Sequence, residues 1–139
     1  MRKELLWEDC IFNKSCLKTL PDKAKAKSLI DTAKGRIDYS QRNVMDKTSA
    51  NYIFENYYTS MLELLHAVVI LNGFKVRNHI CLGFYLRDVL TREDLFSLFD
   101  DCRSKRNSLV YSGKRMEFEV AKESVSKCKI LIKELSKLI

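Results

Sequence analysis

The residues best suited to chemistry lie in one run, Cys102-Arg103-Ser104-Lys105-Arg106-Asn107-Ser108-Leu109-Val110-Tyr111-Ser112-Gly113-Lys114-Arg115. Its five cations form the densest basic patch of the chain, at a predicted helix end and loop. An arginine fork grips a phosphate through two parallel hydrogen bonds, whereas a lysine acts as a point charge. Asn107 offers a donor and an acceptor to a sugar or base, and Tyr111 adds a hydroxyl and a ring on which a base can stack. Such a set suits RNA or a nucleotide, with Arg103, Lys105, Arg106, Asn107, Tyr111, Lys114 and Arg115 as candidate binding residues. The competing reading is a helix C-terminus whose cations complement the helix dipole, with Tyr111 packed on the helices beside it.

Two histidines stand apart from this run. His66, between Leu65 and Ala67, reads as a packed or interface residue. His79 follows Asn78 at a helix start and shapes it; in the alternative, one of the two folds back to supply a base to Arg106. Neither has a second histidine or a cysteine at ligand spacing, so neither a metal site nor a cofactor is expected. Glu55, Tyr57 and Tyr58, beside Tyr52 and Asn56, either line a nucleotide pocket or pack in the core and at a dimer interface, and packing is the stronger reading. Cys10, Cys16, Cys81, Cys102 and Cys128 are odd in number, scattered and without a CxxC pair. They read as five reduced, buried thiols of a cytosolic protein.

The elements that position these groups are helical. Four glycines and one proline in 139 residues argue against a turn-rich β fold. A first segment, from Arg2 to about Leu20, is expected as a helical extension packed on the rest. Asp22 to Arg42 follows as a helix with Ala26, Leu29, Ile30, Ala33 and Ile37 in step; Lys23, Lys25, Lys27, Lys34 and Arg36 form its solvated face. Thr48 or Ser49 is available to cap a helix from Ala50 to Leu71 that is apolar on several faces, and Asn72-Gly73 stops it. Asn78 caps a shorter helix to about Val89 with Ile80, Cys81, Phe84 and Tyr85 inward. Thr91 to Asp94 resembles a capping box opening a helix to about Ser108, with Ser112-Gly113 as its break. Glu117 to Leu138 closes the chain. The expectation is all-α: one domain over residues 1–139, an antiparallel up-and-down bundle of four long helices plus shorter ones.

The bulk numbers agree with a folded domain that meets an anion. Hydrophobic residues make up 46% and charged residues 31%, with a net charge of +7 and a pI near 9.2. No run approaches the length of a membrane span, and MRKELLWEDCIF carries acids where a signal peptide needs an apolar stretch, so a cytoplasmic protein without membrane contact is expected.

Taken in order, these motifs resemble the HEPN family. Its hallmark is an arginine, a polar residue and a histidine a few positions on; Arg106 and Asn107 match, and Tyr111 stands where the histidine would fall. Residues 49–58, Ser-Ala-Asn-Tyr-Ile-Phe-Glu-Asn-Tyr-Tyr, are similar to the aromatic opening of the family's central helix. Leu71-Asn72-Gly73-Phe74-Lys75 followed by His79 is similar to its exit. The likeness runs from about Lys27 to the C-terminus and is strongest to small archaeal members.

The resemblance implies a helical bundle, often a homodimer, that brings two arginine motifs together. Many members cut RNA without metal, some as toxins of toxin–antitoxin pairs with a minimal nucleotidyltransferase, and in them arginine and histidine act on the RNA backbone. A phenol with an ordinary pKa near ~10 is a poor general base at neutral pH. The first reading is therefore a module that binds RNA or a nucleotide, or docks the nucleotidyltransferase, without cutting. The second is a metal-independent endoribonuclease with Arg106, Asn107 and Tyr111 as catalytic residues, or a distant histidine as base. The third is a structural dimerising protein.

Overall fold

The computed structural model describes residues 5–139, so residues 2–4 of the expected N-terminal extension lie outside the described residues. The chain is all-α apart from one short two-stranded ribbon. Four long helices carry it: α2 (Lys23–Gln41), α3 (Ala50–Leu71), α5 (Glu93–Ser112) and α6 (Phe118–Ser136). Two short ones, α1 (Trp7–Phe12) and α4 (His79–Phe84), brace one end.

The apolar run of α3 makes it the centre. Phe54, Tyr58, Met61, Leu65 and Val69 are all buried, and the helix packs between α2 and α6. On one side Arg36 pairs with Glu63, while Lys25 and Leu29 lie beside His66 and Ile70, so α2 runs antiparallel to α3. On the other, Asn51 exchanges two hydrogen bonds with the backbone of Met116, and Lys129 lies over the Tyr57 ring, so α3 and α6 start from the same end. α5 returns against α6 as an antiparallel hairpin, with Arg92 near Glu134 and the Cys102 and Cys128 sulfurs 3.8 Å apart.

Caps explain most boundaries. The Asp22 carboxylate accepts the Lys25 N–H at 3.0 Å, and Asn78 accepts that of Ile80 at 2.9 Å. Before α3 the organiser is Asp46 rather than Thr48 or Ser49. Its carboxylate accepts both of their N–H groups at 2.9 Å, and the Ser49 hydroxyl is turned away to donate to the Val44 carbonyl. No capping box opens α5 either: Thr91 has positive φ, and Arg92 closes an ion pair onto Asp94 at 2.9 Å.

Several expectations are corrected at the braced end. The N-terminal segment is only partly helical, because β1 (Cys16–Lys18) pairs antiparallel with β2 (Phe74–Val76). Gly73 makes this pairing close: at φ +84° its carbonyl accepts the Thr19 N–H at 2.8 Å, and a Cβ there would meet the Thr19 oxygen at 2.9 Å. The shorter helix after Asn78 is α4 followed by a wide π turn over Tyr85–Val89, with Leu90 N–H bonded to Tyr85 five residues back. Cys81, Phe84 and Tyr85 do face inward, but Ile80 is exposed. At the C-terminus α6 stops at Ser136 and leaves Leu138 in solvent.

The cysteines need the largest correction. Cys10 of α1 and Cys81 of α4 form a disulfide, while Cys16, Cys102 and Cys128 are free and buried. The inference of a reducing compartment rested on five free thiols and loses that support. No helix among the described residues is long and apolar enough to cross a membrane.

Candidate nucleic-acid interface

α5 runs to Ser112, a full turn past the expected Ser108, because Gly113 in the left-handed conformation is its true C-cap. The whole 106–111 motif is therefore helical rather than split between a helix end and a loop. Helical spacing then sorts its residues. Arg103, Arg106, Asn107 and Tyr111 fall on one face, while Ser104, Lys105 and Ser108 turn to another.

The first face forms one wall of an open groove of about 380 Å³. The facing wall comes from the ribbon exit and the start of α4: Arg77, Asn78, His79 and Ile80. The backbone of that wall is held by the N-terminal arm, through Arg77 N–H to the Ser15 carbonyl at 2.8 Å and through the Cys10–Cys81 bridge. Three of the eight lining residues are arginine and none is acidic. Arg103 spends one edge of its guanidinium on Asp100 at 2.9 Å. Arg106 forms no ion pair among the described residues and lies with its guanidinium 5.9 Å from the centroid of the Tyr58 ring. That ring gives it a rigid apolar floor and leaves the fork open to a ligand.

His79 brings an imidazole to the groove. Burial, then the nearby Arg106 and Arg103 guanidinia, hold its imidazole below the ordinary histidine range, so it is neutral at pH 7 with a lone pair free to take a proton. Its ring lies edge-on to His66, centroids 6.4 Å apart. His66 is deeper, and burial, then His79 and Lys25, push it down to about 4.

The remaining candidates are not brought to this groove. Lys105, Lys114 and Arg115 line a second one of about 420 Å³ on the opposite flank of α5, with Ser104, Ser108 and Met116. There Lys105 is paired with Asp101 at 3.0 Å, and Arg115 donates to the Thr48 carbonyl and covers the Tyr52 ring. Glu55, Tyr57 and Tyr58 line neither groove. Tyr57 and Tyr58 are buried in the core, where burial raises both hydroxyls, and the Tyr58 hydroxyl makes no hydrogen bond to the described residues. Tyr111 is 77% exposed, which overturns its packing on the neighbouring helices.

Arg77, Asn78 and Ile80 as groove residues were missed. The one signal for them was the consecutive run Arg77-Asn78-His79, read only as a helix start. Among the described residues no three His, Cys, Asp or Glu side chains cluster as a metal site requires. No family model, no curated protein and no solved structure matches the chain.

Proposed function

We propose that the chain is a HEPN-type module that binds RNA or a nucleotide through the Arg106 groove. One observation carries this reading: three arginines and no carboxylate line a groove that also offers an asparagine, a histidine and an exposed tyrosine ring. Arg77, Arg103 and Arg106 supply phosphate contacts, which set affinity and its salt dependence. Asn107 and Tyr111 supply polar and stacking contacts to sugar and base. The family likeness adds a second copy of the chain and a minimal nucleotidyltransferase as partners.

A second reading, cleavage without metal, is favoured by the neutral His79 beside Arg106. His79 would accept the 2′-hydroxyl proton as the 2′-oxygen attacks the adjacent phosphorus, and Arg106 would stabilise the charge that develops there. The 5′-oxygen would leave with a proton taken from water, and His79 would return its own proton to solvent, giving a 2′,3′-cyclic phosphate and a 5′-hydroxyl. The test is incubation of the purified protein with total RNA in chelator, beside Arg106→Ala and His79→Ala. Salt-sensitive binding lost in Arg106→Ala, with no cleavage, is the result the first reading expects. Cleavage that both substitutions abolish moves the second reading ahead. A stable dimer that neither binds nor cuts RNA leaves only the structural role.

A further inference from the structure

The end of α5 is less buried than its start, although Leu109 still packs against the core. Leu95, Phe99 and Cys102 are its buried residues, and none of residues 103–112 is fully buried. This part has a basic groove on each flank: Arg103 and Arg106 on one side, Lys105, Lys114 and Arg115 on the other. The helix tip is a ridge on which Val110 and Tyr111 are exposed, Tyr111 also lining the first groove. Gly113 allows the chain to reverse at the ridge tip, where Lys114 N–H bonds back to the Ser108 carbonyl at 3.1 Å and brings Lys114 to the second groove.

We infer that the ligand is an extended single strand of RNA that passes over this ridge, with phosphates on both flanks of α5 and a base stacked on Tyr111. The inference rests on the reading of the Arg106 groove as an RNA or nucleotide site and extends it to a second groove. A helix with its side chains is about 10–12 Å across, so a ligand that touches both flanks must span at least that distance. A mononucleotide fills one groove only; a strand reaches both and passes the exposed ring on the way. The second flank is the weaker one. Glu117 lines it and Asp101 partly neutralises Lys105, whereas no acid lines the first. The strand is therefore anchored at Arg106 and extended past Lys105 and Lys114.

The test compares two labelled ribo-oligonucleotides, a dinucleotide and a strand of about 12 nucleotides, binding to the wild type and to Lys105→Gln with Lys114→Gln. Both lysines are on the surface, and circular dichroism verifies the fold. The double substitution is expected to weaken the long strand about tenfold at low salt. It should also flatten the dependence of log affinity on log salt by about 1.4, at about 0.7 per cation for a single strand. Dinucleotide binding should be unchanged. Unaltered long-strand affinity and salt dependence, with dinucleotide still bound, would confine the ligand to the first groove and overturn the inference. Failure of the wild type to bind either oligonucleotide instead overturns the RNA reading beneath it.

Discussion

The two halves of α5 differ in how deeply they are buried. From Glu93 to Cys102 the helix buries Leu95, Phe99 and Cys102 against its neighbours, and Asp94 is paired with Arg92. Beyond Cys102 no residue of the helix is fully buried; Arg103 and Lys105 pair back to Asp100 and Asp101, while Arg106 has no carboxylate partner among the described residues. Full burial thus ends along this helix at Cys102. The first half is anchored by apolar packing, which is costly to disturb. The second is half-buried or exposed, where a change is cheaper for folding.

The largest effect should come from the anchored half. Phe99 is 1% exposed, and its ring lies so close to Gly83 of α4 that a Cβ there would come within 3.1 Å of it. Phe99→Ala removes the ring and leaves a cavity that this close packing cannot collapse, so a loss of about 3–5 kcal/mol is expected in urea or thermal unfolding. A loss below about 1 kcal/mol would mean that this half is not the anchor. Next comes the bridge beneath the groove wall. Cys10 and Cys81 are 71 residues apart in sequence, so the cross-link restricts a long loop of the unfolded chain. Cys10→Ser, or reduction of the wild type by a dithiol, should cost about 2–4 kcal/mol. Equal melting temperatures with and without reductant would show that the bridge does not form in solution.

Local signals reveal one half of this design and conceal the other. The bounds of α3 were legible from its apolar run and Asn72-Gly73, and those of α2 from Asp22. Ser112-Gly113 was legible as the break after α5, but the helix end was placed near Ser108, a turn short of Ser112. Gly113 in the left-handed conformation sets the end, and Leu109, half-buried against the core, carries the helix into that last turn. The ribbon and the disulfide were hidden for a different reason. Leu17 opposite Lys75, and Cys10 against Cys81, are partnerships across the fold with no short-range spacing to betray them. The groove has the same character: Arg106 was visible in its motif, but His79 reaches it only because the arm and α4 carry it there.

Acid should separate the halves further. The His66 imidazole is pushed down to about 4 in the fold, against about 6.5 when exposed in the unfolded chain. The unfolded state therefore takes up the proton first. Stability tied to His66 is complete above about pH 6.5 and declines as the pH falls toward 4, by about 2–3 kcal/mol over that window. His79, also lowered, adds to the loss in the same direction. Unfolding measured from pH 7 to pH 4 should show the decline, and His66→Gln should flatten it. A decline unchanged in His66→Gln would place the acid sensitivity elsewhere.

The smallest effect on folding should fall at the tip of the second half, and there the contrast between the two halves is sharpest. Tyr111 is 77% exposed and is not part of the buried core, so Tyr111→Ala should change stability by less than about 0.5 kcal/mol. If a base stacks on its ring, the same substitution should weaken single-strand RNA by about 1–3 kcal/mol. The salt dependence should stay as it is, because stacking releases no counterions. Arg106→Ala should do the reverse, weakening binding and also flattening the salt dependence by about 0.7. If Tyr111→Ala also flattens it, the tyrosine is acting on the phosphate path rather than on a base. If it instead destabilises the fold by more than about 1 kcal/mol, the end of α5 is part of the anchor after all, and the division at Cys102 fails.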